Sequence, residues 1–389
     1  MRKLISTILP FIIFLVALCG CEVSSPSSSP PPISTSNPSP ELTTSPSVTP
    51  PPLTTVTPFP TPTFTPIPTP TPTVQLPVAI EQVPVSTELI SRTYQWNYGG
   101  KQWTWELKIA QSLYDYYKGL PRSPTKDYSV YVTHPLDDEY IDSLVNKLNE
   151  CAQQEGYGDF QKVSFAVAFV QSLPYTDDSV TAGFNEYPRY PVETLVDNGG
   201  DCEDTSILTA SLIQAMGYGT VLLSFPSTPE SAGHCAVGVK GGDGVYGTYW
   251  KYNDNKYYYS ETTGTGWEIG EVPEEYKNAQ AHIYPMIPVP ILTHSWTMKG
   301  NGNAVELHVT VNNLGSADAV GVYVYAGFDA GNNMMWNPQE SPLFNLGMNE
   351  SVTANFNLIP PYGKHTRLEV QIVYNGYSVE NSYSEWFDT

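Results

Sequence analysis

The stretch Asn198-Gly199-Gly200-Asp201-Cys202-Glu203-Asp204 is the most informative part of this 389-residue chain. Its first four residues are typical of a turn, and Cys202 then opens an amphipathic helix that continues to Met216 and is closed by Gly217. A thiol must ionise before it can attack, and a helix N-terminus lowers its pKa. The sequence therefore predicts a nucleophilic cysteine in the first helical turn, and the two glycines leave its sulfur open to substrate.

Two other side chains could complete the chemistry of this cysteine. A nucleophilic thiol needs a base on another element and a carboxylate that orients the base. His234 begins a predicted strand, and Glu261 lies near the end of the strand after next, so neighbouring strands of one sheet can bring them together. Asp243 and Asp254, in loop-like surroundings, are the alternative carboxylates.

An oxyanion hole would combine the backbone N–H of Cys202 with one side-chain donor. Gln171 is the candidate, because it is a polar residue that interrupts the buried face of a predicted helix just before Pro174. The alternative is that the Gln171 amide satisfies backbone groups at the end of that helix.

Helical and extended patterns surround this motif. Aromatic residues alternate on both sides of Gly99-Gly100, which predicts a β-hairpin. Helices are predicted over residues 137–155 and 162–172. Strands are predicted after the Cys202 helix, at residues 220–225, 234–240, 246–252 and 256–262. A helical block followed by an antiparallel run is typical of an α+β fold.

The other cysteines and one histidine are expected to be structural. Cys151 continues the apolar face of the helix over residues 137–155, and Cys235 points to the face opposite His234 on its strand, so both are expected in the core. A disulfide between them is the alternative in an exported protein. His134 is expected in a solvated loop before a helix, rather than in a metal site.

The C-terminal part has a different pattern. From about residue 288, short alternating runs recur between turn clusters, at residues 305–311, 320–324, 352–356 and 368–372. About 100 residues of this pattern indicate an immunoglobulin-like β-sandwich. Asn312, Asn313 and Asp318 fall at turns, and no catalytic group of residues is recognisable there.

The N-terminus predicts export. Met1-Arg2-Lys3 precedes an apolar stretch to Leu18, as in a secretion signal, and Leu18-Cys19-Gly20-Cys21 resembles the lipobox of bacterial lipoproteins. By that resemblance Cys21 becomes a lipid-bearing N-terminus, although an ordinary cleaved signal peptide is the alternative. Residues 22–76 are rich in Pro, Ser and Thr and predict a disordered, semi-rigid tether.

Composition excludes several classes of function. The chain has 18 Lys and Arg against 39 Asp and Glu, a formal net charge of −21, which excludes a basic nucleic-acid footprint. Its six histidines are scattered and form no zinc motif, so neither a metal nor a cofactor is predicted.

Taken together, these motifs resemble the transglutaminase-like superfamily. The resemblance rests on Gly200-Asp201-Cys202-Glu203-Asp204, the helix that follows, His234, and Glu261-Thr262-Thr263 before Gly266-Trp267. It implies a papain-like α+β core in which Cys202 matches the nucleophile and His234 the base, while Glu261 stands where the family usually has Asp. Residues 169–175 and 187–191 resemble a secreted prokaryotic subgroup. Unlike many relatives, the chain has no aromatic residue at position 236.

The resulting expectation is a signal peptide with lipobox at 1–21, a tether at 22–76, a transglutaminase-like domain at 77–287 and an immunoglobulin-like or CARDB-like sandwich at 288–389. The expected function is cysteine acyl transfer on protein or peptide amides, outside the cytoplasm, at a membrane reached through the lipid on Cys21. The alternative is a surface binding scaffold that uses the same fold without turnover. The sequence indicates no oligomeric state.

Overall fold

A computed structural model describes residues 73–74, 88–122, 125–178, 187–228, 232–242 and 244–389. The predicted signal peptide with Cys21, most of the predicted tether, and Asp243 lie outside these ranges. Within them the chain is α+β, with a C-terminal part made of strands. No helix in the described residues has both the length and the apolar character needed to cross a membrane.

The described α+β part begins with the predicted hairpin. Strands β2 (Leu89–Tyr98) and β3 (Lys101–Ala110) pair antiparallel through a turn at Gly99 and Gly100, both with positive φ. Trp96 pairs with Trp103, and aromatic rings of the hairpin pack on two phenylalanines of a later helix. Alternation of side chains along each strand places these rings on one face, which confirms the hairpin prediction.

Six helices with described bounds follow one another before the sheet. They are α1 (Gln111–Gly119), α2 (Ser129–Val132), α3 (Asp138–Gln154), α4 (Asp159–Gln171), α5 (Pro191–Asp197) and α6 (Cys202–Ala215). The predictions for α3, α4 and α6 are confirmed within a few residues, whereas α1, α2 and α5 were not predicted because they are short. Cys235 is buried in the core that the sheet shares with these helices, and Cys151 is half-buried at the margin of the same core. Both are free thiols, so the alternative of a Cys151–Cys235 disulfide is not realised.

The sheet of the α+β part has five antiparallel strands in the order β6-β7-β5-β4-β8. Their bounds are β4 (Thr220–Phe225), β5 (His234–Gly241), β6 (Tyr249–Tyr252), β7 (Asn255–Ser260) and β8 (His282–Pro285). One face packs on the helices through residues such as Leu222 and Val237. The other face carries a smaller core that includes Phe225 and Tyr259. Strand β8 was not predicted, because its four residues do not alternate in polarity.

The C-terminal part has its own core, formed by alternating residues of two main antiparallel sheets. Strands β9 (Leu292–Asn301), β10 (Ala304–Asn313) and β14 (Ser351–Leu358) form one sheet. The other contains β11 (Ala319–Gly331), β12 (Met334–Glu340), β13 (Phe344–Leu346), β16 (Leu368–Tyr374) and β17 (Tyr377–Tyr383). Two short strands, β15 (His365–Thr366) and β18 (Phe387–Asp388), pair with each other.

One further strand joins this part from a distant position in the sequence. Strand β1 (Thr73–Val74) pairs antiparallel with β14, with Thr73 opposite Asn355 and Val74 opposite Ala354. It covers part of the edge of the first sheet, where unpaired backbone groups would otherwise face solvent. These two residues fall in the segment that the sequence predicted to be a disordered tether.

Hydrogen bonds connect the two parts at the segment before α3. Asn349 donates from Nδ2 to Nε2 of His134 at 3.1 Å and to the hydroxyl of Tyr116 at 3.0 Å. The hydroxyls of Thr133 and Ser316 are 2.6 Å apart. His134 is therefore buried, at 2% exposure, and its expected place in a solvated loop is wrong, because Asn349 lies 215 residues further along the chain.

Phe169 tests the packing of the hairpin on α4. Its side chain is fully buried, and its ring lies 5.2–5.4 Å from the rings of Trp96 and Tyr94. We expect Phe169→Ala to lower the free energy of unfolding by about 3–5 kcal/mol, because it removes buried area and leaves a cavity. Phe160→Ala on the same helix, where the ring is 47% exposed, should cost less than about 1 kcal/mol. Urea unfolding curves measure both, and equal losses would contradict this packing.

Candidate active site

The turn before α6 is held in a tight conformation. The N–H of Thr176 donates to the carbonyl of Gly200 at 2.9 Å, and the N–H of Gly200 donates to the carbonyl of Pro174 at 3.3 Å. A Cβ atom at Gly200 would lie 2.4 Å from Cβ of Asp204, so no larger residue fits without movement. Cys202 follows as the first residue of α6, as the sequence predicted.

A buried arginine balances the acids around this turn. Arg189 is 1% exposed and forms ion pairs with Asp178 at 2.9 Å, with Asp197 at 3.2 Å and with Asp204. Asp204 also accepts the N–H of Arg189 at 2.7 Å and the N–H of Asp201 at 3.3 Å. Asp204 therefore satisfies a free N–H at the start of α6 while its own charge is neutralised by Arg189.

The thiol of Cys202 is protonated in this arrangement. Its Sγ–H donates to Oε2 of Glu203 at 3.3 Å. Burial, followed by the negative charge of Glu203, raises the pKa of Cys202 well above its usual value, although the N–H of Cys235 acts in the opposite direction. Burial and the adjacent carboxylate thus act against the lowering of this pKa that is expected of a helix N-terminus.

His234 and Glu261 form a hydrogen-bonded pair. Nε2 of His234 lies 3.1 Å from Oε2 of Glu261 and 3.2 Å from the hydroxyl of Tyr259, and that hydroxyl donates to the same carboxylate oxygen at 2.6 Å. Nδ1 of His234 makes no hydrogen bond with any residue that the structure describes. The ring therefore binds the carboxylate through Nε2, which leaves Nδ1 available to a further partner.

The Glu261 carboxylate is fixed at its other oxygen as well. Oε1 accepts the N–H groups of Thr262 and Thr263, each at 3.0 Å, and the hydroxyl of Thr263 at 2.7 Å. Burial raises the pKa of Glu261, but the hydrogen bond and charge of His234, with the other donors, lower it to about 2. The extra methylene of Glu relative to Asp is accommodated, and the group is ionised at neutral pH.

Hydroxyl groups connect the cysteine helix to the carboxylate strand. Oγ1 of Thr262 lies 2.9 Å from Oγ1 of Thr205 and 3.1 Å from Oγ of Ser206, both on α6. Ser206 also donates to the carbonyl of Cys235 at 3.1 Å. The residue after Glu261 and the residue after His234 are therefore both bonded to the first turns of the helix that begins at Cys202.

Cys202 and His234 line one cleft of about 420 Å³. No hydrogen bond joins their side chains, since the thiol donates to Glu203 instead. The ring of Tyr276 stacks on His234 with centroids 4.8 Å apart and planes 13° apart, and Phe225 stacks on it at 6.4 Å. The remaining lining residues are Lys126, Tyr128, Glu203, Ser224, Pro226, Ser227, Gly233, Cys235, His282 and Tyr284.

Gln171 is not part of this cleft. Its Nε2 donates to the carbonyl of Glu261 at 2.9 Å and to the carbonyl of Trp267 at 3.1 Å, and it borders a separate cavity. Gln171 therefore holds the loop after β7 against the end of α4, so an oxyanion role for this side chain does not fit its contacts. The alternative carboxylate Asp254 lies in the turn between β6 and β7 with φ of 62° and also does not line the cleft.

Three residues of the site were missed from the sequence alone. Tyr259 could have been found from strand alternation, because residues two apart on a strand face the same side as Glu261. Thr263 lies two residues after the predicted carboxylate, in the Glu261-Thr262-Thr263 motif, but no role was predicted for it. Arg189 falls within the segment 187–191, but no role was predicted for it, because the neighbouring sequence does not indicate that this arginine is buried.

Three carboxylates next to Cys202 could hold a cation. Asp178, Asp201 and Glu203 each offer an oxygen, and these atoms lie within 4.8 Å of one another, which among the described residues makes them a possible set of ligands for a hard ion such as Ca²⁺. Burial, then the charge of Glu203, raises the pKa of Asp201 to about 9. A proton on Asp201 and the positive charge of Arg189 therefore reduce the repulsion between the three carboxylates without a cation.

Comparisons with known proteins show only weak similarities. No protein-family model and no curated protein matches the chain. Among solved structures, the CARDB domain of the PF1109 protein from Pyrococcus furiosus, in complex with di-metal ions, is similar over 25% of this chain and 85% of its own, with 20% identity and a TM-score of 0.19. Calcium-bound LapG of Legionella pneumophila is similar over 41% of this chain and 86% of its own, with 17% identity and a TM-score of 0.24. Similarities this weak establish no shared function.

After burial, the charge of Glu203 is the main factor that disfavours the Cys202 thiolate. Glu203→Gln removes the negative charge beside Cys202, so we expect the pKa of Cys202 to fall and its alkylation by iodoacetamide at pH 7 to become roughly tenfold faster. Intact-protein mass spectrometry measures the rate. Glu274→Gln, at an exposed glutamate, is the control and should leave the rate unchanged. An unchanged or lower rate in Glu203→Gln would show that Glu203 does not suppress the thiolate.

The low pKa of Glu261 predicts a specific loss of stability in acid. Because its pKa falls from 4.5 to about 2 on folding, Glu261 stabilises the fold above pH 4.5, and this contribution disappears as the pH falls towards 2. We expect it to amount to at most about 3 kcal/mol. Urea unfolding of wild type and Glu261→Gln at pH 7, 5, 4 and 3 measures it. The difference between them should shrink as the pH falls, and a difference independent of pH would contradict the ionised pair.

Proposed function

We propose that this protein is a cysteine acyl-transfer enzyme of transglutaminase-like type, with Cys202 as nucleophile, His234 as base and Glu261 as the carboxylate that orients the base. The observation that carries the proposal is the His234–Glu261–Tyr259 hydrogen-bond set at the edge of a cleft that also contains Cys202. A papain-like core, with the cysteine on a helix and the histidine on a strand, is the arrangement that such chemistry uses.

The reaction follows from these positions. Nδ1 of His234 takes the proton of Cys202 as the sulfur leaves Glu203 and attacks an amide carbonyl. The carbon–nitrogen bond of the tetrahedral intermediate breaks, the leaving amine takes that proton from His234, and a thioester remains. Water then attacks the thioester and releases a carboxylic acid and the free thiol, whereas a primary amine in place of water would give a new amide. We favour hydrolysis, because water is always present and transfer to an amine requires its exclusion.

The location of the enzyme is part of the proposal. The lipobox-like Leu18-Cys19-Gly20-Cys21 supports a lipid on Cys21, and the proline-rich composition of residues 22–76 supports a spacer between the membrane and the folded parts. The C-terminal immunoglobulin-like part would then be a spacer or a substrate-docking unit outside the cytoplasm.

The second candidate function is a surface binding scaffold without turnover. Protonation of Cys202, with its thiol hydrogen-bonded to Glu203 instead of His234, favours it, because a resting thiolate would be the sign of a primed enzyme. A scaffold, however, has no need for a carboxylate that four other donors hold against His234.

One experiment separates the candidates. The full chain is incubated with a peptide library and a primary amine, and product masses distinguish hydrolysis from amine incorporation. We expect products from the wild type, and a loss of at least about 1000-fold with Cys202→Ala and with His234→Ala. Cys151→Ala, which removes a free thiol outside the cleft, is the matched control and should retain full activity. Absence of any product, or products that persist in Cys202→Ala, would contradict the proposal that this protein is an acyl-transfer enzyme.

A further inference from the structure

The cleft contains two basic side chains that the triad does not use. Lys126 precedes α2, and His282 is the first residue of β8; both line the cleft and both are exposed. Neither side chain forms an ion pair or a hydrogen bond with a residue in the described ranges. Two such donors on the wall of one cleft, in a chain with a net charge of −21, are available to a ligand.

The strand register gives the distance from His282 to the first residues of β5. β4 lies between β5 and β8, and Ser224 on β4 is paired with Cys235 on one side and with His282 on the other. Adjacent strands are about 4.8 Å apart, so His282 lies roughly 10 Å across the sheet from the start of β5, where His234 is. An extended peptide covers this distance in about three residues.

The acidic groups nearby are engaged elsewhere. Asp127, next to Lys126, accepts the N–H of Ser129 at 3.1 Å and its hydroxyl at 2.6 Å. Glu203, on α6, accepts the thiol hydrogen of Cys202. The cleft therefore has a carboxylate hydrogen-bonded to the Cys202 thiol, and two basic groups without a partner among the described residues.

We propose that Lys126 and His282 form an anion subsite that selects a peptide with a carboxylate about three residues from the amide attacked by Cys202. This inference rests on the proposed function, since it assigns the substrate class of that site as an acidic peptide. A carboxylate seated there would accept hydrogen bonds from the Lys126 ammonium and the His282 ring.

The acidity of the whole protein does not remove this preference. At about 0.15 M salt, charges more than roughly 8 Å apart in solvent are largely screened, so the general repulsion of an acidic peptide is weak. Direct pairing inside a cleft is screened much less. The preference for one peptide over another is therefore determined by the protein side chains that each peptide contacts.

Binding tests the subsite without catalysis. The Cys202→Ala chain is titrated with fluorescent heptapeptides that carry a central Gln and either Glu or Gln three residues before or after it. In anisotropy measurements at 0.15 M salt, we expect one Glu position to lower Kd roughly tenfold relative to the Gln peptide. Adding Lys126→Glu should abolish this preference, and His282→Gln should reduce it. Lys251→Glu, an exposed residue of β6 outside the cleft, is the control and should leave it intact. Equal affinity for all peptides would overturn the subsite.

A second arm separates failure of the subsite from failure of the proposed function. The same heptapeptides, with a chloroacetyl group on the central side chain, are used to alkylate Cys202 in the wild-type chain. Faster labelling by the Glu probe, lost in Lys126→Glu, supports both proposals. A Glu preference in binding without any labelling above that of a free cysteine peptide supports the subsite and contradicts the enzyme. Labelling at one rate by the Glu and Gln probes, together with equal binding, supports the enzyme and overturns the subsite.

Discussion

The candidate site depends on the buried ion pair between Arg189 and Asp204. Asp204 lies in the first turn of α6, and its carboxylate binds both Arg189 and the N–H of Asp201. Gly200 is in contact with the same side chain, so the turn, the helix start and the Cys202 backbone are positioned together. Loss of one partner from a buried pair costs about 3–5 kcal/mol, because the other charge stays buried without compensation. Arg189 is thus a condition for placing Cys202, the proposed nucleophile, although it lies outside the proposed triad.

The candidate site combines a firmly held His234 ring with a Cys202 thiol whose ionisation is disfavoured. Glu261 is ionised and bonded at both oxygens, and it fixes the ring of His234 through Nε2. Cys202, by contrast, keeps its proton because burial and Glu203 disfavour the thiolate. Such an arrangement suits a mechanism in which the thiol loses its proton as it attacks, as the hydroxyl of a serine enzyme does. It suits less well a mechanism that starts from a thiolate–imidazolium ion pair. A ligand that displaced Glu203 from the sulfur would remove the part of this effect that is due to Glu203.

Helices and strands that follow from the local sequence pattern could be predicted. Side-chain contacts between residues far apart in the sequence could not. The hairpin around Gly99-Gly100, helix α6 and the first residues of β5 follow from period-two and period-3.6 alternation, and the pairing of His234 with Glu261 follows from adjacent strands. The pKa of Cys202 could not be predicted, because it depends on burial and on the rotamer of Glu203. His134 was misplaced because its partner Asn349 belongs to the C-terminal part, and Gln171 because its amide meets a loop 90 residues away.

The pairing of β1 with β14 has a consequence for the way the chain can be divided. The sheet of the C-terminal part contains residues from both before and after the α+β part, since Thr73 and Val74 precede it and β14 follows it. A fragment that starts at residue 288 would therefore expose the β14 backbone at Ala354 and Asn355 as an open sheet edge, prone to pairing with other chains. A fragment that ends near residue 291 would leave the β1 residues without their partner. The α+β part is, in this sense, an insertion between two pieces of one sheet.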